Sequence, residues 1–316
     1  MIRLLLGLLV PSAYSTALAT PFPLTVNQTS GPVTFAAPPK RVVALGPHAL
    51  DLLLSLGVQP VGYGEAAQLG LTSYGSPIRQ IRYLGSRVTG TPMNVGNRFS
   101  PNLELVAALK PDLIVGEHYA SASFSALNRT APTLLFHGTS TGDWQKSIVV
   151  LGRVLGREAQ AQRVIAGQRQ RLVQARAALP ATLRGTKALV VWNAGGQDRD
   201  VFTVLGPQDW TGGFFESLGF ALSLPARPDP TLGEGYQKLS SEGLVALKPD
   251  VVFVVASSKN TVTQARKDWQ ANALAQTLPA SRNRQVYFLD IQLYGRLRGP
   301  IAEELMFRDL RRQLRP

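Results

Sequence analysis

The chain contains no cysteine. That removes a disulfide scaffold, a thiol nucleophile, a thiolate zinc site and a lipid-modified N-terminal cysteine together. Histidine is nearly as scarce. The three present, His48, His118 and His137, lie further apart than one helical turn, so a local two-histidine metal motif is missing. No apolar run approaches the roughly 18–20 residues that a membrane-spanning helix needs. A Gly-Lys-Ser/Thr phosphate loop is absent, and Gly195-Gly196 is too bare to stand for one. Acids are outnumbered: Lys and Arg total 33 against 20 Asp and Glu, a formal net charge of +13. The basic residues are spread along the chain, without a helix-turn-helix, zinc-finger or RNP-like signature. Nucleic acid is therefore an unsupported partner for that charge, and an anionic small molecule or a membrane surface are the others.

What is present begins at residue 1. Arg3 precedes a short apolar core over residues 4–10, then small residues, then Ala17-Leu18-Ala19. A charged start, a short apolar core and an A-x-A site describe a secretory signal peptide cut after Ala19. Further on, strands and helices alternate. Residues 41–46 read as a buried strand ended by Gly46-Pro47, residues 48–56 as a helix with Leu50, Leu53 and Leu54 on one face, and residues 58–62 as the next strand. Such β-α-β units build parallel sheets covered by helices.

One internal repeat stands out. Glu104-Leu105-Val106-Ala107-Ala108-Leu109-Lys110-Pro111-Asp112 and the apolar run after it recur as Glu242-Gly243-Leu244-Val245-Ala246-Leu247-Lys248-Pro249-Asp250 and a second apolar run. Each copy reads as a helix stopped by Lys-Pro-Asp and followed by a buried strand. The copies are too far apart for a solenoid, whose period is about 20–50 residues, so they mark two similar lobes. Between them, residues 157–178 contain no proline and carry Val164, Ile165, Leu172, Val173 and Ala175 as an apolar stripe that ends at Leu179-Pro180. As one helix they span about 33 Å at 1.5 Å per residue, enough to tie two lobes across a cleft. The expected organisation is a signal peptide at 1–19, an N-terminal lobe at 20–156, a linking helix at 157–179 and a C-terminal lobe at 180–316.

In open α/β sheets, ligands sit outside the carboxyl ends of the strands. The candidates in loops of that kind are Arg98, Tyr119 beside His118, Trp192, Trp210, Tyr294, Arg296 and Arg298. Arginine offers a planar, permanently charged fork for carboxylates. Aromatic rings supply rigid contact area at small entropic cost. His48 reads as a hydrogen-bonding residue at a helix start. Arginines from two lobes facing one cleft form an anion trap.

The ordered set Pro39-Lys40-Arg41-Val42-Val43-Ala44-Leu45, Val95-Gly96-Asn97-Arg98, Asn102-Leu103-Glu104, Ala131-Pro132-Thr133, Trp210-Thr211-Gly212-Gly213, Leu218-Gly219 and Arg296-Leu297-Arg298-Gly299 resembles the periplasmic iron-chelate binding proteins of ABC importers. Within that family the chain looks like the ferric-dicitrate binding branch, through the Val95-Gly96-Asn97-Arg98 loop, the Trp210-Thr211-Gly212 segment and the Arg296-Leu297-Arg298-Gly299 segment. The resemblance covers nearly the whole mature chain. It implies an α/β fold of two Rossmann-like lobes joined by one long α-helix, with the ligand cleft between them. It implies capture of an anionic ferric chelate, ferric dicitrate or a siderophore, and delivery to a membrane permease without any catalysed reaction. Iron comes only inside the chelate, so no cofactor or metal ligand is expected of the protein. The partners implied are the permease and the chelate, with no nucleic acid, and the protein is expected to be a soluble, unlipidated, exported monomer. In such proteins one glutamate on each lobe meets permease arginines, and the matching positions are Glu104 and Glu216. A haem or corrinoid ligand on the same fold, or an exported α/β hydrolase, are the alternatives. N-terminal sequencing of the exported protein should return Thr20 as its first residue; retention of Met1 on an exported, active chain would refute the cleavage site.

Overall fold

A computed structural model describes residues 21–65, 72–226, 236–257 and 260–314; the expected signal peptide, residues 1–19, lies outside them. After a small antiparallel ribbon, β1 (Leu24–Val26) with β2 (Val33–Phe35), the N-terminal lobe forms a five-stranded parallel sheet. Its strands are β3 (Val42–Leu45), β4 (Gly62–Glu65), β5 (Met93–Asn97), β6 (Leu113–Glu117) and β7 (Thr133–Phe136), in the spatial order β5-β4-β3-β6-β7. β3 and β6 are buried at every residue, as parallel strands covered on both faces must be. The first crossover helix, Pro47–Ser55, starts after Gly46, whose φ of 107° lets the chain turn off β3. The second strand begins later than residues 58–62 suggest. Val58 closes the helix by donating to the Leu53 carbonyl, and pairing starts only as Val61 donates to the Val42 carbonyl.

The C-terminal lobe is built on β8 (Lys187–Asn193), β9 (Val201–Leu205), β10 (Ala221–Leu222), β11 (Tyr236–Ser240), β12 (Val251–Ala256) and β13 (Val286–Asp290). The parallel core β8-β12-β13 is extended by antiparallel β9 and β11, with short β10 beside the start of β8.

The repeat has a shared physical meaning in both lobes. Asn102 caps the helix Leu103–Ala108 through the Leu105 N–H, and Ser240 at the equivalent position caps Ser241–Leu247 through the Gly243 N–H. Lys110 and Lys248 both adopt left-handed φ, 45° and 44°, ending each helix before its proline. Asp112 then accepts from the Lys40 and Arg41 N–H groups at the head of β3, while Asp250 accepts from the Lys187 N–H at the head of β8. Each aspartate thereby registers the repeat strand against its neighbour, β6 on β3 and β12 on β8.

The linking helix is Glu158–Ala178, 21 residues and about 32 Å long. It crosses the helix Asp143–Val154 where a Cβ on Gly152 would meet the Ala161 Cβ at 2.9 Å, so glycine sets the close approach there. Val164, Ile165, Leu172 and Ala175 pack on the core. Val173 does not: it is 64 % exposed, because one residue beyond Leu172 the helix has turned by about 100°. Among the described residues no helix is long and apolar enough to cross a membrane.

Several polar fasteners join the lobes beside the linking helix. The Asp51 carboxylate, from the first helix of the N-terminal lobe, accepts from the Ile301 and Ala302 N–H groups at the head of the last helix, Pro300–Gln313. Thr141 donates from its hydroxyl to the Pro207 carbonyl, and the Trp210 backbone N–H donates to the Thr139 carbonyl. Trp144 donates from Nε1 to Glu303 at 3.1 Å. Burial pushes the Glu303 carboxyl up to about 7 from 4.5, and the hydrogen bonds from Trp144 and Gln168, with the charge of Arg171, offset this only in part. Folded Glu303 thus keeps its proton to about pH 7, whereas the unfolded group releases it near 4.5. Between these values the folded state carries the extra proton and loses stability as pH rises. Glu303→Gln should therefore gain on the wild type as pH is raised from 5 to 8, by roughly 2–3 kcal/mol at the upper end. Chemical denaturation across that pH range reads the difference, and a constant offset would disprove a protonated Glu303.

Candidate functional site

The carboxyl ends of both sheets carry the chemistry. In the N-terminal lobe the strand order reverses between β3 and β6, the switch point where open α/β sheets hold ligands. Gly46 leaves β3 there, and Glu117 is the last residue of β6. Arg98 follows β5. From the other lobe, β13 runs into an irregular wide turn at Gln292–Leu297, and Arg298 follows in a left-handed conformation, φ 54°.

These elements converge on one carboxylate. Arg98 donates from Nη1 to Glu117 Oε1 at 3.2 Å, and Arg298 donates from Nη2 to Glu117 Oε2. The side chains of Glu117, Arg298 and Arg98 are 2 %, 4 % and 11 % exposed, so the pairing is nearly dry. A Cβ on Gly46 would fall 2.3 Å from Glu117 Oε1, so this glycine makes the room for the carboxylate. Burial opposes a charge on Glu117, yet Arg298 and Arg98 outweigh it and hold its pKa below the ordinary carboxylate range.

Tyr119 lies between the two guanidiniums, its ring centre 5.2 Å from Arg98 and 5.7 Å from Arg298. Phe99 packs on it at 5.4 Å and His118 at 4.0 Å. His137 stacks on His118 at 4.7 Å, so two histidines far apart in sequence meet in space. Among the described residues, no group of three or more His, Asp or Glu is placed to hold a metal ion. His48 is fully buried at the start of its helix, with its imidazole against the Leu297 and Arg298 backbone. Burial first, and Arg298 second, lower its pKa to about 4, which keeps it neutral.

On the C-terminal lobe, Trp192 is half-buried near the end of β8, its ring 5.3 Å from that of Tyr236. Arg296 is half-buried with no acidic partner among the described residues. Two expected cleft residues are placed elsewhere. Tyr294 is fully buried, donates its hydroxyl to Asp309 and packs edge-on against Phe214, because the turn after β13 carries it inward. Trp210 is buried at the lobe junction as the first residue of the helix Trp210–Ser217.

Glu104 and Glu216 are both exposed. Glu104 lies in the first turn of its helix, but Glu216 lies in the last turn of Trp210–Ser217 and is not its repeat counterpart. That counterpart is Glu242, exposed in the first turn of Ser241–Leu247. The repeat itself carried this signal. Glu117 was equally within reach, as an acid ending an apolar strand directly before His118-Tyr119.

Residues 138–142, Gly-Thr-Ser-Thr-Gly, match the Gly-x-Ser-x-Gly pattern of hydrolases. Ser140 bridges to Asp209 across the lobes, and the recorded bond of the segment's serine is from its backbone N–H to Asp143. The turn is a loop between β7 and Asp143–Val154 rather than a sharp elbow with an activated hydroxyl.

The buried trio ties both arginines to the stability of the fold as well as to the cleft. Arg298→Ala leaves Glu117 buried with Arg98 as its remaining cation and one oxygen without its partner, and should cost about 3–5 kcal/mol. Arg98→Ala, which keeps the tighter pair, should cost roughly 1–3 kcal/mol. Urea denaturation measures both, and wild-type stability in Arg298→Ala would contradict the dry ion pair.

Comparison with known proteins places this geometry in a family. Residues 42–293 match the family model described as periplasmic binding protein. The chain is 28 % identical to the Fe(3+)-citrate-binding protein YfmC of Bacillus subtilis over 288 residues, covering 90 % of this chain and 84 % of that protein. It is 28 % identical to the Fe(3+) dicitrate-binding periplasmic protein FecB of Escherichia coli over 294 residues, covering 91 % and 89 %. Staphylococcus aureus SirA, in complex with staphyloferrin B, superposes with a TM-score of 0.75 at 25 % identity, covering 92 % and 98 %. The chain belongs to the periplasmic binding protein family.

Proposed function

We propose that this member of the periplasmic binding protein family captures an anionic ferric chelate of the citrate or siderophore type between its lobes and delivers it to an ABC permease. The observation that carries the reading is the meeting of Arg98 and Arg298, from opposite lobes, on a single carboxylate. Two guanidinium forks converging at the carboxyl ends of two sheets recognise carboxylate oxygens. Tyr119, Phe99, Trp192 and Tyr236 provide aromatic surface beside them. The protein supplies charge and shape, and the chelator supplies every iron ligand. The relatives named for ferric citrate support this choice over haem or corrinoid. The same reading makes the protein exported and unlipidated, acting as a monomer without catalysis.

Docking to the permease then uses one exposed glutamate from each lobe. Glu104 serves the N-terminal lobe, and the repeat favours Glu242 over Glu216 on the other, since it occupies the equivalent first helical turn. Tryptophan fluorescence titration should give saturable binding of ferric citrate by the purified protein. Failure to bind ferric citrate and representative ferric siderophores would end the chelate reading. In a reconstituted transport assay, Glu104→Lys and Glu242→Lys should bind as wild type but reduce uptake at least about tenfold, because like-charge juxtaposition across an interface costs several kcal/mol. Glu216→Lys should have the smaller effect; the reverse order would restore Glu216 as the docking point.

A further inference from the structure

A trap made for an anion holds an anion of its own. Each oxygen of Glu117 is committed to a different guanidinium, and those guanidiniums come from different lobes. The carboxylate therefore occupies the place a ligand carboxylate would take, and it also ties the C-terminal lobe to the N-terminal one. It is a permanent part of β6, seated against Gly46. We propose that Glu117 is the resident counter-anion of the cleft, exchanged for a carboxylate of the incoming chelate, so that the site selects polycarboxylate chelates over uncharged ones.

The proposal rests on the chelate reading above and sharpens it to a ligand class. With Glu117 in place, Arg98 and Arg298 need not repel each other while the cleft is empty. A guest must release them from Glu117 before it can use them. A neutral hydroxamate chelate brings no charge to repay that loss, whereas a citrate carboxylate reproduces the same two charge-assisted bonds. The remaining positive charge, two cations against one acid, still favours an anion over no guest. Arg296, without an acidic partner among the described residues and two positions from Arg298, adds to that bias. Glu117 thus acts as an internal competitor that lowers affinity for every carboxylate ligand and excludes those unable to replace it.

Glu117→Gln keeps the shape and removes the competing charge. It should tighten ferric citrate binding by about tenfold or more, the equivalent of about 1.4 kcal/mol, and leave a neutral ferric trihydroxamate bound no tighter than by wild type. Glu117→Asp keeps the charge but is one methylene too short to span both arginines, and should fall between the two; it carries the test if the glutamine variant does not fold. Equal or weaker citrate binding in the folded variants would overturn the proposal and make Glu117 a structural or ligand-supporting residue. A second readout needs no ferric ligand. The cysteine-free chain accepts unique spin labels at Ala108→Cys and Lys267→Cys, both exposed on opposite lobes. In the empty protein, Glu117→Gln should lengthen or broaden the distance between them, and iron-free citrate should restore it. An unchanged distribution would overturn the tie. If wild type binds no ferric chelate but the labels respond as stated, the chelate reading fails while the resident counter-anion stands.

Discussion

The pairing of Glu117 with Arg98 and Arg298 is the contact on which the front of the molecule depends. Two like charges held this close in a nearly water-free crevice repel strongly, and a carboxylate that touches both converts the repulsion into a clasp. Other features serve this arrangement. Gly46 vacates the volume the carboxylate needs, the strand order reverses beside it, and the left-handed turn at Arg298 aims that side chain back across the cleft. Tyr119 covers both guanidiniums with its ring face, which favours cations electrostatically.

The lobes are joined in two physically different ways. Near the linking helix most joints are neutral or backbone-mediated: Asp51 on the head of the last helix, Trp144 on Glu303, and residues 139–141 against 207–210; a partly exposed ion pair, Arg87 on Glu304, joins them. Apolar side chains of both lobes share one continuous core there. At the cleft the joint is a buried trio of two guanidiniums on one carboxylate. A shared apolar core along one long helix fits small adjustments better than wide domain closure.

The two lobes solve the same folding problem with the same short phrase of sequence. A polar cap, an early glutamate, a lysine in left-handed conformation, a proline and an aspartate appear in both, and each aspartate grips the backbone that opens the adjacent strand. The glutamate is exposed in both copies and lies in the first helical turn, where its charge suits the helix dipole. Glu242 also accepts from the Ser240 hydroxyl, which holds its pKa below the ordinary range.

The sequence determined by itself whatever depends on neighbours in the chain. The apolar runs of β3, β6 and β12, the proline stops, the repeat and the long helix were all legible, because burial on both faces, helix termination and helical periodicity are local patterns. Strand onset at Gly62 was misplaced, since Val58 is as apolar as a strand residue yet is spent closing a helix. Which polar side chains meet was decided only by tertiary structure. Arg98 and Arg298 were visible as cleft candidates, but their common partner is 19 and 181 residues away in sequence. Tyr294 and Arg298 sit in the same short segment, and only the wide turn that carries them sends the ring into the core and the guanidinium into the cleft. Electrostatic pairing acts through space at a few ångströms, so it has no period in the sequence for a pattern to reveal.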